Sequence, residues 1–205
     1  MDRLILVRHG ETAYTAEGLL NPDDLLDAPL SPGGEEAARE FGRDLAAEPV
    51  TIAVTSPRLR ARRTAQLLAA GRDLPLLELE DLAEVHAGAF AGGPVTAYRQ
   101  WLQSAPLAAA PPGGESVLAA ADRYLAGLRR IARLPEPVVL AVMHNLPMRM
   151  ALNAAAGADP VAGPVRALPH LARRELATSD LERAISALAT WRAGAAAPRS
   201  LSPRR

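Results

Sequence analysis

The sequence predicts an α/β fold, a three-layer sandwich with a mostly parallel central sheet and helices on both faces. Three observations carry that prediction. Short apolar runs alternate with stretches of helical periodicity along the chain, as repeated strand–helix units do. One run, Val138–Met143, is uninterrupted by any polar residue, which suits a central strand covered on both sides. The chain has 205 residues, 49% of them apolar, enough to bury a sizeable core within one domain.

Each element follows from local chemistry. Leu4–Val7 reads as the first strand, ending at Arg8, and a loop rich in Asp, Pro and Gly runs on through Pro29. Ser31 then caps a helix, Pro32 takes its first position, and Glu35 and Glu36 suit the positive end of its dipole. Ala38, Phe41 and Leu45 share its apolar face. Ile52–Val54 is a second strand, feeding Ser56-Pro57 and a helix that carries Thr64, Leu67 and Leu68. Leu76–Leu79 makes a third strand. The stretch 81–93 has no clean period and reads as a functional loop, and the spacing of Tyr98, Trp101 and Leu102 places a short helix after it. Pro111-Pro112-Gly113-Gly114 breaks the chain, and Leu118, Ala121, Leu125, Leu128 and Ala132 then mark a long amphipathic helix. After Val138–Met143, Asn145 is expected to cap the next helix, with Pro147 in its first turn. Ser179-Asp180-Leu181-Glu182 has capping-box spacing and opens a C-terminal helix. One domain is expected over 1–192, with a disordered tail over 193–205, where Ala, Pro, Ser and Arg lack periodicity.

Composition removes several classes of chemistry. The chain has no Cys, which excludes disulfides, thiolate nucleophiles and cysteine–zinc sites. It also has no Lys, so all 23 basic side chains are Arg, and lysine-dependent phosphate loops, kinase sites and Schiff bases are excluded. The 23 acidic groups cancel the 23 basic ones, leaving no global field to draw the chain onto nucleic acid or an anionic membrane. Leu4–Val7 is too short for a signal core or a membrane span, so a cytoplasmic protein is expected.

In an open parallel sheet, ligands collect at the carboxyl ends of strands. Arg8-His9-Gly10-Glu11-Thr12 follows the first strand, Ser56-Pro57-Arg58-Leu59-Arg60-Ala61 follows the second, and His144-Asn145 follows the central apolar run. If these strands are neighbours, two imidazoles and two guanidiniums converge. A dense positive site inside a neutral protein calls for a dianion such as phosphate. Histidines and arginines at strand ends also serve as plain hydrogen-bonding residues. His86 and His170, which belong to no such group, are expected to be surface or packing residues. Arg62, Arg63, Tyr98 and Trp101 could line the pocket or simply pack.

Arg8-His9-Gly10-Glu11-Thr12 resembles the signature of the histidine phosphatase superfamily, the phosphoglycerate mutase-like enzymes. Leu30-Ser31-Pro32-Gly33-Gly34, Ser56-Pro57 through Thr64-Ala65, Glu84 with Gly88, Phe90 and Gly92, then Gly113-Gly114-Glu115-Ser116 and His144 resemble its further motifs, in order. The resemblance implies that His9 is a nucleophile forming a phosphohistidine, and that Arg8, Arg60 and His144 clamp the phosphoryl oxygens. It makes Glu84 the general acid and then the base. Thr12 and Asn145 are added as expected phosphate contacts, and Glu11 is expected to order the loop. No metal and no cofactor is implied, because the protein supplies the cations. Thr15 and Ala91 stand where family members often carry Asn and Glu, at positions that would meet substrate beyond the phosphate. Ala37, Arg58 and Asn145 stand where Gln, Leu and Gly are common.

The expected activity is hydrolysis of a small phosphomonoester, with no nucleic-acid or membrane partner. A cofactor-dependent phosphoglycerate mutase is the first alternative. Those enzymes carry a longer, lysine-containing insertion after the acid loop, whereas Gly88–Gly114 is short and has no Lys. A non-catalytic phospho-ligand binding protein is the second, and it would need neither His9 nor Glu84. A homodimer through the C-terminal helix is left open.

Overall fold

The central sheet is built from β1 (Arg3–Arg8), β2 (Ile52–Thr55), β3 (Leu76–Glu78), β4 (Val138–Met143) and β5 (Arg173–Ala177). Helices α1 (Ala13–Ala16), α2 (Pro32–Leu45), α3 (Leu59–Leu68), α4 (Val95–Ser104), α5 (Val117–Ala132), α6 (Asn145–Ala155) and α7 (Thr178–Ala196) connect and cover it. This computed structural model describes residues 1–22 and 28–196. The strand order is β3-β2-β4-β1-β5, with β1 to β4 parallel and β5 antiparallel beside β1.

Successive side chains of a strand point to opposite faces, and here both faces are buried. Leu4 and Leu6 of β1 join Val139 and Ala141 of β4 in a cluster with Tyr124 and Leu128 of α5, Met148 of α6 and Leu181 of α7. Ile5 and Val7 join Leu140 and Val142 against Leu45 of α2 and Ala61, Ala65 and Leu68 of α3. Fully burying a Leu or Ile is worth ~1.5–3 kcal/mol, so the paired clusters hold three layers together.

Most predicted elements form as the local chemistry requires. Ser31 accepts a hydrogen bond from Gly34 N at 3.0 Å, with Pro32 opening α2. Four details differ. Within the expected loop, Thr12 and Thr15 make a reciprocal capping box that supports the short helix α1. His144, rather than Asn145, occupies the cap position of α6, because the Asn145 carboxamide oxygen accepts from Leu168 N at 3.0 Å instead. Helix α7 starts at Thr178, directly after β5, so Ser179 lies inside its first turn rather than ahead of it. The same helix continues to Ala196, so residues 193–196, expected in the tail, are helical; residues 197–205 lie outside the described residues.

Strand β5 is absent from the sequence prediction. Its residues, Arg173-Arg174-Glu175-Leu176-Ala177, present one buried apolar side chain, Leu176, beside three charged residues and an exposed alanine, as an edge strand does. Among the described residues no helix is long and apolar enough to cross a membrane.

Candidate active site

Three neighbouring strands deliver the site. The β1–β4 register sets Arg8 opposite Met143, and the β2–β4 register sets Thr55 opposite Val142, so β1, β2 and β4 end at the same level. His9 follows β1, His144 follows β4, and Ser56 to Arg60 follows β2. His9 N continues the pairing by donating to Met143 O at 2.9 Å, and Gly10 N donates to Thr64 Oγ1 of α3 at 3.0 Å. Gly34 lets the start of α2 approach this loop, since a Cβ there would stand 2.2 Å from Glu11 O. Ser31 Oγ also donates to Glu11 Oε1 at 3.1 Å, so Glu11 orders the loop as expected.

His9 and His144 are buried, with ring centroids 5.1 Å apart. His9 Nδ1 lies 2.7 Å from Gly10 O. A carbonyl only accepts, so Nδ1 carries the proton and Nε2 keeps its lone pair. Burial holds the His9 pKa well below the ordinary histidine value, and Arg60 and Arg8 push it the same way. His144 is depressed for the same leading reason, and its Nε2 lies 2.9 Å from Ser56 Oγ. Both imidazoles are therefore neutral near pH 7.

A cavity of about 220 Å³ opens beside His9, and Arg8, Arg60 and Glu84 line it with His9. Arg8 donates to Leu168 O, while its buried Nε has no partner among the described residues. Arg60 is buried at the start of α3. Glu84 accepts from Val85 N at 3.2 Å and from Leu146 N at 3.4 Å. Burial raises its pKa against the opposing pull of the Val85 N–H, Arg60 and Arg8. Two guanidiniums, a lone-pair imidazole and a carboxyl group inclined to keep its proton thus share one pocket. Such a set can hold an oxyanion, attack it, and protonate what leaves.

The remaining expected site residues divide. Asn145 lines the cavity, although its oxygen is engaged by Leu168 N. Thr12 does not line it, because its hydroxyl donates to Asn21 Oδ1 at 2.6 Å and accepts from Thr15 N as the cap of α1. His144 stands behind His9 rather than on the wall. Tyr98 lines the cavity, whereas Trp101 stacks on Tyr98 outside it. Arg63 pairs with Glu35 at 2.7 Å and Arg62 faces Glu78 at 3.8 Å, so neither widens the pocket. His86 is off the wall too, its Nε2 2.7 Å from an Nη atom of Arg58. Among the described residues no group of three His, Cys, Asp or Glu side chains could hold a metal ion.

Sequence patterning missed two cavity-lining residues, Arg149 and Arg99, while His170, expected at the surface or in packing, packs beside the site. His170 packs against His9 with ring centroids 5.5 Å apart, and burial lowers its pKa to about 4. It arrives because Leu171 N donates to Arg8 O at 3.1 Å, just before β5 pairs with β1. Arg149 and Arg99 line the cavity. Arg149 follows Asn145 by one helical turn, a spacing that shares a face and could have marked it. Arg99 had no signal beyond its neighbour Tyr98.

A family model of the histidine phosphatase superfamily (branch 1) matches residues 4–180. The chain is 31% identical over 161 residues to PhoE of Bacillus subtilis (strain 168), named an uncharacterized phosphatase, covering 78% of this chain and 80% of that protein. It is 28% identical over 165 residues to a protein of Serratia proteamaculans (strain 568) named "Probable phosphoglycerate mutase GpmB", covering 77% and 76%. The solved structure of the alpha-ribazole phosphatase from Shigella flexneri superposes with a TM-score of 0.74 over 84% of this chain and 89% of that one, at 22% identity. Phosphatases and phosphoglycerate mutase-like proteins are thus what the chain is similar to.

Proposed function

The chain belongs to the histidine phosphatase superfamily, and we propose that it is a metal-independent phosphatase that hydrolyses a small phosphomonoester through a phosphohistidine on His9. The observation that carries this reading is the hydrogen bond from His9 Nδ1 to Gly10 O, which leaves Nε2 as an unprotonated nucleophile beside Arg8, Arg60 and Glu84. Phosphoryl transfer needs positioning and charge stabilisation more than covalent help, and two guanidiniums supply both without a metal.

In the first step His9 Nε2 attacks phosphorus, and the bond to the ester oxygen breaks. The Glu84 proton passes to that oxygen, and the alcohol leaves. Water then attacks the phosphohistidine, the Glu84 carboxylate takes its proton, the P–N bond breaks, and inorganic phosphate departs. Arg8 and Arg60 neutralise the equatorial oxygens throughout, while His144 packs behind His9. The shortness of Gly88–Gly114 and its lack of Lys support hydrolysis over mutase transfer, because little of the chain is available to enclose a sugar acid.

The test is a panel of phosphomonoesters with and without EDTA, joined to rapid-quench labelling. Turnover should survive the chelator, and vanadate should inhibit. An acid-labile phosphoenzyme should form in the wild type and vanish with turnover in His9→Ala. Activity lost in EDTA and restored by a divalent ion would sink the metal-free mechanism. Isomerisation of 3-phosphoglycerate, primed with 2,3-bisphosphoglycerate, faster than hydrolysis of any monoester would favour the mutase. Tight binding of monoesters without turnover would favour a non-catalytic binder.

A further inference from the structure

The nucleophile has a neighbour to which the reaction assigns no part. His170 packs on His9 with ring centroids 5.5 Å apart and an angle of 47° between the planes. It does not line the cavity, and its buried Nε2 has no hydrogen-bond partner among the described residues. Burial, with Arg8 acting the same way against Glu11, keeps the ring uncharged down to about pH 4.

The backbone that delivers this ring is over-determined. Residues 169–172 make a turn closed by Ala172 N, which donates to Pro169 O at 3.1 Å. Leu171, the third residue of the turn, has φ +57°, the one left-handed value among the described non-glycine residues. That conformation favours glycine, and another residue keeps it only where the surroundings enforce it. Here the enforcement comes from Arg8. Leu171 N donates to Arg8 O at 3.1 Å, Arg8 N donates to Ala172 O at 3.2 Å, and the Arg8 guanidinium donates to Leu168 O. The Leu171 side chain also packs against the cluster of Leu30, Ala38 and Leu67. Strain of this kind collects at functional sites, and what this turn places is an imidazole against His9.

His9 needs such a support. The hydrogen bond from Nδ1 to Gly10 O fixes its tautomer but leaves the ring able to tilt about that bond. A misplacement of about 1 Å can cost ~10²-fold in rate. The ring also changes charge in the reaction. Nε2 gives its lone pair to phosphorus, the ester oxygen leaves with the Glu84 proton, and Nδ1 keeps its own proton, so the imidazole becomes cationic. We propose that His170 is a positioning residue for the nucleophile, its ring holding His9 in line with phosphorus and accommodating the positive charge of the phosphohistidine ring. The inference rests on the phosphatase reading and concerns what stands behind His9. An uncharged ring at 5.5 Å suits that cation, whereas a protonated His170 would repel it. Arg8, Glu11 and His9 are the charged and titratable groups that couple to His170.

Single-turnover labelling separates this step from binding. Rapid-quench phosphorylation of the full chain by a phosphomonoester would be read beside two other measurements. The Kd of inorganic phosphate reports the anion site alone, and NMR of nitrogen-labelled histidines reports the His9 tautomer. His170→Ala should slow phosphorylation about 10- to 100-fold, leave the phosphate Kd within about twofold, and spread the His9 signals over both tautomers. His170→Gln removes the ring with less loss of volume and serves where His170→Ala does not fold. His170→Phe restores an uncharged ring and gives up only a nitrogen without a partner, so it should recover most of the loss. Phosphorylation at the wild-type rate without the ring would overturn the proposal. So would a loss in His170→Phe equal to that in His170→Ala, or a loss that falls on phosphate affinity instead of the labelling rate. If the wild type is labelled by no monoester, the phosphatase reading falls, and the tautomer still decides the positioning: a mixture in His170→Ala upholds it and a single form overturns it. If wild type and His170→Ala are labelled and turn over equally well, the phosphatase reading stands and the positioning falls.

Discussion

At the scale of single residues, burial sets protonation more than partner charges do. His9 loses its proton affinity first to desolvation and then to the guanidiniums, while Glu84 gains proton affinity from the same desolvation against those guanidiniums. One environment therefore prepares a base-like nucleophile and an acid side by side. Glu84→Gln keeps the shape but removes the proton, so transfer to His9 should slow by ~10²–10⁴-fold for leaving groups of high pKa. With p-nitrophenyl phosphate, whose leaving oxygen needs little protonation, the loss should be smaller. Rapid-quench labelling of the two ester classes reads the difference, and an equal loss in both would remove Glu84 from the acid's role. The other nearby carboxylates are poor substitutes, because Glu115 is held by Arg123 at 2.6 Å and Glu11 by the Ser31 hydroxyl, and neither lines the cavity.

Among the elements, the loop that carries Glu84 depends on a helix remote in sequence. Arg123 of α5 donates to the carbonyls of Ala83 at 2.8 Å, Glu80 and Asp81 at 3.2 Å, and Glu84 at 3.4 Å, and pairs with Glu115. Glu115 faces the next turn of the loop, and its backbone N donates to His86 O at 2.9 Å. Gly88 closes the arrangement with φ +53°, and a Cβ there would stand 2.3 Å from Pro112 O. Arg123→Gln leaves several carbonyls and the Glu115 carboxylate without their donor, which should cost about 2–3 kcal/mol of unfolding free energy in urea. Where the variant is still folded, alkyl phosphates should slow more than nitrophenyl phosphate, because a displaced Glu84 costs most where its proton matters. Unchanged stability would show that the loop holds itself.

For the whole molecule, the buried histidines tie stability to pH. His9, His144 and His170 all have folded pKa values below 6.5, burial being the leading cause in each. As the pH falls through 6.5 the unfolded chain binds protons that the native state refuses, so stability is lost on the acid side. For His170 that window runs from 6.5 down to about 4. Glu84 acts in the opposite sense: its raised pKa makes stability fall as the pH climbs from 4.5 through its folded value. Three groups outweigh one just below 6.5, so the urea midpoint should drop between about pH 7.5 and 5.5, and His170→Gln should flatten part of the slope. A midpoint that is level or rising over that interval would contradict the assignment.

Local chemistry along the chain was enough to mark several features without any knowledge of neighbours. The uninterrupted run Val138–Met143 marks a strand buried on both faces, Ser31-Pro32 marks a helix start, and Arg8-His9 lies at a strand end that lines the cavity, with His144 at the end of a neighbouring strand. Features that depend on which segments meet came only with tertiary packing. Strand β5 forms because β1 has an open edge to pair with, and its charged sequence has no strand pattern of its own. His170 reaches His9 only through that pairing, and Arg99 and Arg149 meet only where α4 and α6 wall one cavity. Thr12 is drawn off the cavity and Asn145 off the cap of α6 because other partners, Asn21 and Leu168, engage their side-chain oxygens. Hydrophobic period and capping preference act over a few residues, whereas the pocket's charge and the fate of each polar side chain are set by contacts across the whole chain.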